Sequence, residues 1–113
     1  MARINYVELP AADTAVSRDF YARAFGWSFT DFGPTYAATT GGDVDMGLQG
    51  DASEAPKAPL PVIEVADLEA ALDAVSAAGG RITRPIFSFP GGKRFEFADP
   101  AGNAIAVSHT AGH

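Results

Sequence analysis

Tyr6, Glu8, Arg94 and Glu96 are the side chains whose types and positions could do chemistry together. Each sits in a short stretch where apolar residues take every second place: Val7 and Leu9 flank Glu8, and Phe95 and Phe97 flank Glu96. Side chains alternate across a strand, so an apolar set turned toward a helix leaves the other set facing away from it. That places Tyr6, Glu8, Arg94 and Glu96 on the wall of a cavity, with Glu64 nearer a strand end. An ionised carboxylate in such a place is costly unless paired, protonated or put to use. Glu8 or Glu96 would serve as a general base, taking a proton from a carbon beside a carbonyl while Arg94 or a bound cation steadied the oxyanion. A plainer arrangement is open as well: Arg94 forms a structural ion pair with Glu8 or Glu96, or the polar faces simply meet water. Tyr36 joins the candidates with Trp27, Phe29 and Phe32, as an aromatic wall for a planar ligand or as core and dimer contacts.

The elements that must position these residues are written twice. Asp13 and Asp67 each follow a short apolar stretch and open a helical segment that closes at a glycine, Gly26 or Gly79. The spacing predicts one helix over 14–25 and another over 68–78, each capped by its Asp. Val16, Phe20 and Phe25 should form the apolar stripe of the first, leaving Arg18, Asp19 and Arg23 to water; Leu68, Ala71, Leu72 and Val75 should be the buried face of the second. Gly33-Pro34 separates a strand at 27–31 from one at 36–40. Asp99-Pro100-Ala101-Gly102 carries a type I turn signal between strands at 94–98 and 104–109. The polar, proline-bearing stretch 50–59 reads as a linker. The expected organisation is a single domain over 1–113, with a first module at about 3–49 and a second at about 60–109. His109 at the last strand's end and His113 in the tail read as surface residues.

Length and composition narrow the classes. The 113 residues suffice for one domain, and 47 % hydrophobic content suits a packed core. A net charge of −6 argues against nucleic acid as a partner. With no cysteine there is no thiolate metal site and no thiol nucleophile. No apolar run is long enough to span a bilayer and no signal-like start is visible, so the expectation is a cytoplasmic protein without a membrane partner.

The order βαβββ, linker, βαβββ resembles the vicinal oxygen chelate superfamily of glyoxalase, bleomycin-resistance protein and extradiol dioxygenase. The resemblance rests on Val7-Glu8-Leu9-Pro10 with Asp13, on Phe20-Tyr21 and Phe25-Gly26-Trp27, and on Val65-Ala66-Asp67-Leu68-Glu69. Ala77-Ala78-Gly79-Gly80 and Phe97-Ala98-Asp99-Pro100-Ala101-Gly102-Asn103 complete it, from Ile4 to about His109. It implies an α+β fold in which tandem βαβββ modules form a curved mixed sheet around a cavity, with helices outside. It also implies homodimers, and a divalent metal held by His, Gln or Glu.

In the glyoxalase-type pattern one metal ligand stands seven residues before the capping Asp, which is Tyr6 in the first module and Leu60 in the second. Another stands four residues after the glycine of the Asp-Pro-x-Gly turn, here Ala106, and its counterpart in the first module falls near Gly47, with Asp45 the closest acid. On that basis no cofactor is expected. The leading expectation is a glyoxalase/bleomycin-resistance-like protein that binds a small organic molecule through Tyr6, Glu8, Tyr36, Arg94 and Glu96. The alternative is a lyase or isomerase with Glu8 or Glu96 as base, with or without a non-standard metal.

Overall fold

The computed structural model describes residues 2–110, so His113 lies outside the described residues. The elements run β1 (Arg3–Pro10), α1 (Thr14–Phe25), β2 (Thr30–Asp31), β3 (Tyr36–Ala38), β4 (Asp45–Gln49), β5 (Leu60–Glu64), α2 (Leu68–Ala77), β6 (Arg81–Phe89), β7 (Gly92–Ala98) and β8 (Ala104–Thr110). This is the α+β order expected, βαβββ twice. Two compact units result, one of Tyr6–Leu60 and the other of Pro61–His113 with Met1–Asn5. None of the described helices is long and apolar enough to cross a membrane.

In the first unit the strands lie in the order β2-β3-β4-β1. β1 runs parallel to β4, and β3 is antiparallel to both β4 and β2. Asp13 caps α1 by accepting from the Val16 N–H at 3.2 Å, and Gly26, left-handed at φ 72°, returns its N–H to the Ala22 carbonyl at 2.8 Å. The helix packs on β3 and β4, above Ala37 and Leu48, cross-strand partners that are both buried.

The face α1 turns to the sheet is not the one its apolar spacing suggests. Val16, Phe20 and Phe25 are 64 %, 54 % and 61 % exposed, whereas Thr14 is buried and Arg18 half-buried. Arg18 lies on the inward side of that rotation: one terminal nitrogen reaches both carboxylate oxygens of Asp31 on β2, at 2.9 and 3.0 Å, and so links helix to strand. The strand expected over 27–31 shortens to two residues because only Thr30 and Asp31 find partners on β3.

In the second unit the order is β5-β8-β7-β6, with β5 parallel to β8 and the other pairs antiparallel. Asp67 accepts from the Ala70 N–H at 3.0 Å to open α2. Here the apolar face does pack inward. Leu68, Phe95 and Val107 are the buried centre, with Leu72, Val75, Ile82 and Phe97 around them. Asp99 organises the β7–β8 turn, its Oδ1 accepting from the Ala101 and Asn103 N–H groups at 2.9 and 2.8 Å; the Asn103 hydrogen bonds hold this carboxyl below the usual aspartate range. Pro85 sits in β6, an outer strand of this unit's sheet, where the β6–β7 register slips between Arg84 and Phe87.

These placements order the energetic cost of truncation. Phe95→Ala should lower the free energy of unfolding by about 3–5 kcal/mol, since a wholly buried ring is lost. Asp67→Ala, which removes only a helix cap, should cost about 1 kcal/mol. Urea melts followed by circular dichroism would check both.

Candidate functional site

The polar candidates gather on the sheet face opposite the helix in each unit. In the first unit Glu8, Gly47 and Ala38 form one lateral row across β1, β4 and β3. Tyr6 on β1 and Tyr36 on β3 lean over Gly47 from either side, and their hydroxyls hydrogen-bond to each other. A Cβ added at Gly47 would collide with both hydroxyl oxygens, so this convergence requires glycine there. The Tyr36 hydroxyl donates to Glu8 Oε1 at 3.2 Å, and the Glu8 side chain lies in a residue only 4 % exposed. Burial first, then the nearby Tyr6 and Glu8, push the Tyr36 phenol well above its ordinary pKa. That shift favours the protonated phenol, which donates to Glu8.

The second unit carries two adjoining rows on its corresponding face. Glu64, Ser108, Arg94 and Phe87 lie side by side across β5, β8, β7 and β6; Val62, Ala106, Glu96 and Arg84 form the next row. Arg94 bonds Glu96 Oε2 at 3.0 Å, and Arg84 approaches the same oxygen at 4.0 Å. The Arg84 guanidinium stacks 3.5 Å above the Phe87 ring, with Arg94 at 5.5 Å from it. Glu64, at the end of β5, accepts from the Ser108 hydroxyl at 3.3 Å and the Thr110 N–H at 3.3 Å. His109 directs Nδ1 to the Val65 carbonyl at 3.0 Å, so its place is set by the β5–β8 pairing.

Thus the structure brings Tyr6, Glu8 and Tyr36 together in one unit, and Arg94 with Glu96 in the other. The expected aromatic wall divides: Tyr36 neighbours Phe32 at 6.4 Å between ring centres, but Trp27 stacks with Tyr21 and Phe25 at 5.9 and 5.2 Å. Arg84 and Phe87 were not foreseen, because two register shifts in β6 break the period-two signal that exposes Arg94 and Glu96. Gly47 had a signal available in its setting, a lone glycine within a strand.

The resemblance implies a divalent ion, and the residues at its usual ligand positions do not fit one. Gly47, Leu60 and Ala106 have no donor side chain, and the Tyr6 phenol is engaged with Tyr36 over the very glycine where another ligand would stand. Among the described residues no three His, Cys, Asp or Glu gather as a metal-binding group.

Comparison with known proteins gives a consistent picture. The sequence model of the Glyoxalase/Bleomycin resistance protein/Dioxygenase superfamily matches residues 3–107. Two mycobacterial proteins with a provisional glyoxylase name, from Mycobacterium bovis and Mycobacterium tuberculosis, are 30 % identical over 114 residues, covering 91 % of this chain and 44 % of theirs. The chain thus spans less than half the length of those relatives. A glyoxylase-like domain-containing protein of Didymella fabae is 32 % identical over 117 residues, covering 93 % of this chain and 91 % of its own. The crystal structure of methylmalonyl-CoA epimerase from Mycobacterium tuberculosis superposes with a TM-score of 0.78 at 17 % identity, over 96 % of this chain and 87 % of that one, a likeness of fold alone. With its doubled βαβββ order and this match over nearly its whole length, the chain belongs to the Glyoxalase/Bleomycin resistance protein/Dioxygenase superfamily.

Proposed function

We propose that the chain binds a small organic molecule through the polar faces of its sheets, without the His- or Glu-held divalent ion that the resemblance implies. The observation that carries this reading is the Tyr6–Tyr36–Glu8 cluster over Gly47. A buried carboxylate with one phenol donating to it, and a second phenol bonded to the first, is a ready-made anchor for polar groups of a ligand. Arg94 and Glu96 offer a second set of charged contacts in their own unit.

The same cluster supports a second reading, a lyase or isomerase. Glu8 would take a proton from a carbon beside a carbonyl, and the Tyr36 O–H, no longer held by a carboxylate once Glu8 is protonated, would turn to donate to the enolate oxygen. The epimerase neighbour makes methylmalonyl-CoA a reasonable probe for such proton transfer.

Four measurements test these statements. Native mass spectrometry after incubation with a metabolite extract should find a small molecule retained by the wild type and lost from Glu8→Gln; retention by both would remove Glu8 from the site. Methylmalonyl-CoA incubated with the protein in heavy water should gain deuterium no faster than in protein-free buffer under the binding reading, and faster in a Glu8-dependent way under the isomerase reading. Elemental mass spectrometry on chelator-free protein should find metal far below one ion per chain, and a stoichiometric transition metal would overturn the metal-free proposal. Gly47→Ala should displace the two phenols and abolish the same retention, while Gly50→Ala, outside the cluster, serves as the comparison for loss of fold.

We also propose a homodimer in which a second copy covers Val16, Phe20 and Phe25, the outward apolar stripe of α1. Phe20→Asp should shift sedimentation toward the monomer, and an unchanged profile would exclude this face.

A further inference from the structure

One groove of the first unit is lined by neither Glu8 nor the two tyrosines over Gly47. It has a volume of about 540 Å³, within the roughly 300–1,000 Å³ usual for small-molecule sites. Val7 and Met46, cross-strand partners on β1 and β4, belong to its lining with Trp27, Thr39, Gly42 and Asp45.

Two features of the groove are built rather than incidental. The Trp27 indole is 42 % exposed, yet its plane is set by stacking with Tyr21, 10° from parallel, and with Phe25. The Asp45 carboxylate is held by its Oδ1, which accepts from the Thr39 hydroxyl at 2.9 Å and from the Gly42 N–H at 3.3 Å. Thr39 Oγ1 in turn accepts from the Met46 N–H at 3.0 Å, so the acid is tied to the strand that supplies part of the lining. Both bonds to Asp45 end on Oδ1. Groove, oriented indole and oriented carboxylate together favour one chemistry. An aromatic face attracts a cation, an apolar lining accepts its hydrocarbon body, and a carboxylate offsets its charge. Among the described residues no lysine or arginine lines the groove to recruit an anion instead.

We propose that this groove is a binding site for a small organic cation carrying an apolar body, such as an arylalkylammonium, with Trp27 and Asp45 as its recognising residues. The site is separate from the one proposed around Glu8.

Trp27 is the only tryptophan, so its emission reports on the groove alone. Titration with benzyltrimethylammonium should change that emission saturably, with benzyl alcohol binding more weakly and benzoate not at all. Asp45→Asn should raise the dissociation constant for the cation by about fivefold and leave that for benzyl alcohol unchanged. Should Asp45→Asn fail to fold, Trp27→Leu followed by calorimetry replaces it and should lose the heat of cation binding. A cation that gives no saturable change, or binds no better than benzoate or benzyl alcohol, overturns the proposal. So does retained affinity in Asp45→Asn or in Trp27→Leu. Glu8→Gln should leave the titration unaltered, which separates this site's failure from failure of the function proposed above.

Discussion

A carboxylate placed in a strand and almost closed off from water constrains everything around it. Glu8 needs a donor, and Tyr36 provides one from two strands away. Tyr36 can reach only because β4 lies between β1 and β3 and presents no side chain at Gly47. The parallel pairing of β1 with β4 therefore matters for more than the sheet's own hydrogen bonds, since it sets Glu8 opposite Gly47. A slip of one residue would turn Glu8 to the helix side and break the cluster.

The two units solve the same topological task with different interiors. In the second, Phe95, Val107 and Leu68 make a conventional apolar centre beneath α2. In the first, Ala37 and Leu48 lie under α1, and the helix is linked to β2 by an ion pair between Arg18 and Asp31. Both of these partners retain some exposure, so the pair contributes orientation more than stability. The larger apolar groups of α1 are then left outward.

Much of this was legible in the residues themselves. Asp13 and Gly26 mark the ends of α1, and strict alternation around Phe95 and Phe97 sorts Arg94 and Glu96 to the opposite face, as the register bears out. Alternation likewise puts Tyr6 and Glu8 together. What escaped was long-range. In α1 the inward side carries Thr14 and Arg18, the latter bonded to Asp31 thirteen residues on, so the apolar spacing of Val16 and Phe20 misdirects. The irregular pairing of β6 conceals Arg84 and Phe87, because a bulge resets which residues share a face. The meeting of Tyr6 with Tyr36 depends on the order β3-β4-β1, which no local pattern encodes.

Gly47 also restricts how this protein could change. Its backbone needs no side chain removed for conformational reasons; the space above it is simply taken by two phenols. A carboxylate or imidazole introduced there in one step meets a collision, and shortening Tyr6 or Tyr36 alone clears only half of it. The route from this arrangement to one with a larger residue at position 47 thus runs through coupled replacements whose separate effects are unfavourable. Replacements at Gly47, Tyr6 and Tyr36 are therefore energetically coupled, and their effects should not add.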